Sequence, residues 1–303
     1  MSELAPVVVF VYNRPDCARR TLEALKNCFL AKDSELFIYS DAAKDDKSDI
    51  LVKEVRKVIS SVDGFKHITI IERNKNFGLS ASIITGVTEI VQKYGKVIVV
   101  EDDLIVNPNF LAFMNEGLKK YESNKQVMSV TAYSYTNKFA RKLNDTYFLP
   151  ISSSWTWGTW KDRWDQFDIN AEGWEILKTD HALRRKFIFY KGSGYYSMLL
   201  KQMEEKTIDS WAIRWYWTIF RKNGLTLYPK MTLVNNEGYE NNGVHCRGAN
   251  DSYAIFDNTI RLKLTDDIKI SKQACRIVKI NLWYRNLRQI AFVLLKRCGI
   301  VHD

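Results

Sequence analysis

The segment Val7-Val-Val-Phe-Val-Tyr12 is apolar at every position. A strand with no polar face must be covered on both sides, which points to a parallel sheet lying between helices and away from a two-sided antiparallel one. The residues that follow keep to that plan. Leu22, Leu25 and Phe29 recur at helical spacing, Leu36-Phe-Ile-Tyr39 is a second apolar run, and Ile50 to Ile59 reads as a helix. His67 to Ile71 is a third strand, Leu79 to Val91 a helix and Val97-Ile-Val-Val100 a fourth strand. Alternating strands and helices imply right-handed parallel crossovers, with ligands bound beyond the carboxyl ends of the strands. An α/β, Rossmann-like nucleotide-binding half is therefore expected over residues 1–130.

The composition then changes. Residues 131–270 are dense in aromatics, among them Tyr133, Tyr135, Trp155, Trp157, Trp160, Trp164, Trp174, Trp211, Trp215 and Trp217. They read as a second half facing the first and supplying an acceptor and catalytic side. Ile208, Trp211, Ala212, Trp215 and Ile219 fit one helix face, Leu225 to Leu227 and Met231 to Val234 suggest two strands around Pro229, and Asn235 to Gly248 is an Asn/Gly-rich loop.

Forty-six percent of the chain is apolar and 26% charged, which excludes disorder and low complexity. No apolar run approaches the roughly 18 residues of a membrane span. The first residues carry no basic n-region, so no secretory signal is expected. The five cysteines are scattered without a Cys-x-x-Cys pair, which favours a reducing compartment over a zinc ribbon; the expected location is the cytosol.

Net charge is +10, of which residues 271–303 carry +6 and the rest only +4. A body so nearly balanced, without a nucleic-acid-binding signature, argues against a nucleic-acid partner. The tail spaces Ile280, Trp283, Leu287, Ile290 and Leu294 at intervals of three and four, with Lys279, Arg285 and Lys296 on other faces. A basic amphipathic helix of this kind could lie on an anionic leaflet, the cytoplasmic face of the inner membrane, each cation adding about 1 kcal/mol. It could equally pack on the body or on a second subunit, so an oligomer stays open.

The most informative short segment is Glu101-Asp102-Asp103, three acids directly beyond the fourth apolar strand. Carboxylates so placed repel one another, and a divalent cation, Mn2+ or Mg2+, offsets the repulsion while bridging a substrate diphosphate. An acidic turn ending a strand is the plain alternative. Asn13 and Arg14 close the first strand, where amide and guanidinium donors could meet a uracil edge or a phosphate.

The run Val97 to Phe113 resembles the Glu-Asp-Asp segment of N-acetylglucosaminyltransferase I and related GT-A glycosyltransferases, and Val8 to Pro15 resembles the opening strand of that family, which ends in an Asn-Arg pair. The resemblance implies a GT-A fold, with Asp103 as the direct metal ligand and Glu101 and Asp102 on ribose or sugar hydroxyls. It places at Asp41 an acid that reads uridine; Asn76, before a helix, is a further nucleotide candidate. Thr207 to Ala212 resembles the segment holding the catalytic base, which makes Asp209 the candidate base of an inverting transfer, although the segment's second acid is Ser210 here. Asp209 would also serve as a helix cap. His245, in the Asn/Gly loop, matches the late histidine that many GT-A enzymes place at the metal or diphosphate. Ser152 to Trp164 resembles a tryptophan-rich segment of bacterial surface-polysaccharide transferases, with Trp155 and Trp157 as acceptor-stacking candidates and Gly158 allowing close approach.

The expectation is thus a metal-dependent, inverting glycosyltransferase that moves a sugar from a UDP-sugar to a glycan or lipid-linked oligosaccharide in surface-polysaccharide synthesis. A sugar-1-phosphate nucleotidyltransferase would present a Gly-rich basic loop after the first strand, which Asn13-Arg14-Pro15-Asp16 does not offer. A non-catalytic carbohydrate-binding module would need the tryptophans but not the acids.

Overall fold

The computed structural model describes residues 4–135, 143–236 and 261–297. Strands β1 (Val7–Val11), β2 (Glu35–Ser40), β3 (His67–Glu72) and β4 (Lys96–Glu101) alternate with helices α1 (Pro15–Lys26), α2 (Asp46–Ser60) and α3 (Gly78–Tyr94). The four strands are parallel in the order β3-β2-β1-β4, with Val7 opposite Leu36 on one side and Ile98 on the other. Both faces of the apolar runs are covered. Val7, Val9, Leu36, Ile38, Ile98 and Val100 face α1, α2 and a later helix, α4 (Phe110–Lys120). Val8, Phe10, Phe37, Tyr39, Val97 and Val99 face α3 and α9 (Trp211–Arg221).

The sheet does not stop at residue 130. It continues as β8 (Trp157–Trp160), β6 (Val127–Thr131), β9 (Leu225–Pro229) and β7 (Thr146–Leu149), giving eight strands in one mixed sheet. Strand β8 is antiparallel to both β4 and β6, so Trp157 stands opposite Val99 and Thr131. Strands β5 (Leu104–Val106) and β10 (Val234–Asn236) form a separate antiparallel pair in which Asn236 faces Leu104, the residue after the acid trio. The short helices α5 (Lys161–Trp164), α6 (Ile176–Thr179), α7 (His181–Ile188) and α8 (Tyr195–Leu200) build a second core, which includes Trp174, Phe187, Trp217 and Tyr228. Helix α10 (Lys272–Arg297) lays Ala274, Val278 and Leu282 on that core.

Three sequence expectations change here. Phe29 lies beyond α1 and is 56% exposed, because the helix ends at Lys26 and the chain turns through Leu30 at φ 72°. The second strand expected after Pro229 starts at Val234. Gly158 belongs to the core: a Cβ there would come within 3.0 Å of the Val97 carbonyl and 3.1 Å of Met114, so glycine lets α4 lie against the sheet.

Candidate functional site

The carboxyl ends of β1, β2 and β4 converge on one charged cluster. The buried Asp102 and Asp103 both receive Arg14, which stands at the start of α1 with Pro15 locking the first turn. Its Nη1 donates to Asp103 Oδ2 at 3.0 Å and its Nη2 to Asp102. Thr21 of α1 donates to the Asp102 carbonyl at 2.9 Å, pinning the acidic turn from below. Burial, reinforced by the charges of Asp103 and Asp102, pushes the carboxyl of Glu101 up to about 8. Burial likewise pushes Asp102 up to about 6 against the pull of Arg14. For Arg14 burial works against the charge, yet the two aspartates outweigh it and the guanidinium's pKa is raised.

This donor set suits a hard divalent cation. Two buried carboxylates already share one cationic partner, and their oxygens are the ligand type that Mg2+ and Mn2+ take. Among the described residues no group of three or more acids, histidines or cysteines is placed to cage a metal. Mg2+ at nucleotides is usually held by one or two carboxylates and completed by substrate phosphates.

Around this cluster the other candidates fall into distinct roles. Asn13 is half-buried at the end of β1. The carboxylate of Asp41, at the end of β2, accepts from the backbone N–H of Phe77 and Gly78, each at 2.9 Å, and from Ala42. Asp41 therefore holds the N-terminus of α3, where the helix dipole favours a negative charge. Asn76 donates to the Ala42 carbonyl at 2.7 Å and ties the same two loops together.

Asp209 does not cap α9. The cap is Ser210, whose Oγ accepts from Ile213 N, while Asp209 lies one residue earlier with an exposed carboxylate. It pairs with Arg214 at 2.6 Å, and the same Nη2 donates to Ser80 Oγ, also at 2.6 Å, in the first turn of α3. Arg214 thus couples the base candidate to the helix that Asp41 anchors. Sequence reasoning missed it, since an arginine inside an amphipathic pattern carries no mark of burial.

Trp155 and Trp157 part company. Trp155 lines a cavity of about 270 Å³ together with Tyr133, Tyr135, Ser152, Ser153 and Tyr195. Its ring meets Tyr133 edge-on at 4.6 Å. Trp157 is wholly buried, stacked on Trp211 at 4.9 Å and packed by Trp164 and Trp215, so its indole is a core element with no face left for an acceptor. Between the two, Thr156 takes φ 51° in a buried position, held by Thr131 Oγ1 donating to its carbonyl at 2.7 Å. This left-handed step stands where β8 begins, at the carboxyl end of β4, so the cavity wall and the acid trio lie at one end of the sheet. Ala212 and Ile213 of α9, three and four residues after Asp209, line the same cavity. His245 falls outside the described residues; the chain enters that stretch from Asn236, opposite Leu104.

Among solved structures, the mannosyltransferase PcManGT from Pyrobaculum calidifontis, in complex with GDP-Man and Mn2+, is 12% identical over 71% of this chain and 73% of that one, with a TM-score of 0.40. The S. aureus TarS fragment 1–349 is 12% identical over 78% of this chain and 61% of its own length, with a TM-score of 0.41. Glucosyl-3-phosphoglycerate synthase from Mycobacterium tuberculosis is 12% identical over 53% of this chain and 57% of that one, at 0.31. No curated protein sequence matches. The family model described as glycosyl transferase family 2 matches residues 7–189, which run from β1 to the end of α7 and take in the acid trio, Arg14, Asp41 and Trp155. More than half of the chain is matched, and the chain belongs to glycosyl transferase family 2, as an α/β glycosyltransferase of GT-A type.

Proposed function

We propose that this glycosyltransferase takes its sugar from a nucleotide donor, a UDP-sugar, and passes it with inversion to a hydroxyl of a glycan or lipid-linked oligosaccharide, in surface-polysaccharide synthesis on the cytoplasmic side of a membrane. The observation that carries this reading is the convergence of buried Asp102 and Asp103 on Arg14 at the carboxyl end of β4.

Asp103, with Asp102 beside it, would hold Mn2+ or Mg2+, which when bound neutralises charge gathering on the leaving diphosphate. Arg14 contributes a fixed positive charge at the same place. Asn13 and Glu101 offer an amide and a carboxyl to the uracil and ribose, and Asp41 and Asn76 shape the loop pair around the base. His245 would add an imidazole to the diphosphate side. The acceptor ring stacks on Trp155, with the serine hydroxyls of residues 152 and 153 within the same cavity. Asp209 takes the proton of the acceptor hydroxyl as its oxygen bonds to the anomeric carbon, while the bond from that carbon to the diphosphate oxygen breaks and its electron pair leaves with the nucleotide. Arg214 pairs with the carboxylate and holds it in place.

Incubation with Mn2+ and a panel of nucleotide sugars tests the reading. Slow hydrolysis of one donor with release of a nucleoside diphosphate is expected, and Asp103→Asn abolishes metal-dependent donor binding measured by calorimetry. Undiminished affinity in that variant would remove the site assignment; release of pyrophosphate would assign a nucleotidyltransferase, and metal-independent glycan binding without turnover a binding module.

A further inference from the structure

Helix α10 divides into two faces. Ala274, Val278 and Leu282, one turn apart, are buried on the second core, and Leu282 also lines the aromatic cavity. The side-chain amide of Asn281 donates to the Tyr135 carbonyl, fastening the helix to the same wall. The opposite face begins with the exposed cations Lys272, Arg276 and Lys279 and continues into Ile280, Trp283, Tyr284 and Leu287. These last four are 48%, 56%, 58% and 42% exposed. Helical spacing places all seven on one broad stripe, with Lys279 at its edge, over the Phe189 ring, and not on a separate face as the sequence spacing suggested.

Two features of this stripe limit what can cover it. The stripe carries three cations, Lys272, Arg276 and Lys279, and no acid, so the covering surface is anionic, and a second copy of the same stripe would be repelled. The exposed aliphatic pair Ile280 and Leu287 gains nothing from a phosphate backbone in water, which disfavours a nucleic acid. Trp and Tyr beside Leu and Ile, flanked by cations, fit the boundary between lipid headgroups and acyl chains. No described helix is long and apolar enough to cross a membrane, so contact would be along the helix and not through it.

We propose that α10 seats lengthwise on an anionic lipid surface through Ile280, Trp283, Tyr284 and Leu287, with Lys272, Arg276 and Lys279 giving charge selectivity. Because the same helix walls the aromatic cavity, the acceptor is an amphiphile presented by that surface; this last step rests on the transferase reading, whereas the docking does not.

The test is sedimentation of the full chain with vesicles of phosphatidylcholine alone and of phosphatidylcholine with phosphatidylglycerol. Binding is expected only with the anionic lipid, and Trp283→Glu with Leu287→Glu lowers partitioning at least about tenfold. Lys272→Glu with Arg276→Glu lowers it similarly and removes its salt dependence. Far-UV circular dichroism and metal-dependent donor hydrolysis stay as in the wild type in all variants. Equal binding to both vesicles, no binding, or binding unchanged by either pair overturns the proposal. So does a dimer, seen by light scattering, that Trp283→Glu dissociates while vesicles capture nothing. Vesicle binding without hydrolysis of any donor would leave the docking standing and count against the transferase reading alone.

Discussion

Removing the Arg14 guanidinium leaves Asp102 and Asp103 facing each other in a buried turn. Breaking a buried pair can cost 3 to 5 kcal/mol, and since the Arg14 side chain is about a third exposed, about 1–3 kcal/mol is expected for Arg14→Gln in metal-free protein. Mn2+ should recover part of that loss, because the cation replaces the missing charge; thermal denaturation with and without the ion reads both effects. A second outcome concerns Cys28, whose thiol burial pushes up to about 12. At pH 8 it is fully protonated, so iodoacetamide should leave it unmodified in the native protein and alkylate it after unfolding, as peptide mass mapping would show. The acid cluster beyond the fourth strand was visible in the sequence, although its donor role was read from the resemblance and an acidic turn was the plain alternative. The partner of Asp209 was not visible, since Arg214 sits five positions along and its burial depends on α3.

At the scale of elements, β8 carries the tightest constraints. Gly158 has Val97, Met114 and Leu118 around the space a methyl would fill, so Gly158→Ala should destabilise by about 1–3 kcal/mol in urea titration, through strain between α4 and the sheet. Thr156 is held in the left-handed region by Thr131; Thr131→Val leaves the Thr156 carbonyl without that donor in a buried setting, at a cost of about 1–3 kcal/mol. The first four strands were visible in the sequence to within a residue or two: the continuous apolar runs of β1, β2 and β4 have a single outcome when helices flank them, and β3 is the partly exposed edge strand. Strand β8 was not visible. Trp157-Gly-Thr-Trp160 is buried on both faces and joins β4 to β6 against the parallel direction, so it shows no period and its indoles resemble ligand-stacking ones. Trp155, two residues away, lines the cavity, with the left-handed Thr156 between the two indoles.

The whole molecule is bound together across the change in composition. One continuous core joins Val7, Val9 and Leu36 of the first half to Phe148, Trp160, Leu227 and Val234 of the second. Residues 1–130 expressed alone should therefore lack a cooperative unfolding transition, since β4 would lose its β8 neighbour and α4 the strands it covers. A sigmoidal urea curve for that fragment would show the first half to be self-sufficient. The parallel pairing of the first four strands followed from strand–helix alternation, whereas the mixed half depends on pairings between segments up to a hundred residues apart, which no local pattern encodes. The nest of Trp157, Trp164, Trp211 and Trp215, with ring centres 4.9–6.2 Å apart, has an optical consequence. Indoles this close share their excited states, so the protein should show an exciton couplet in ultraviolet dichroism that shrinks to the Trp157–Trp164 contribution once α9 lifts from the sheet, a built-in gauge of assembly that needs no dye.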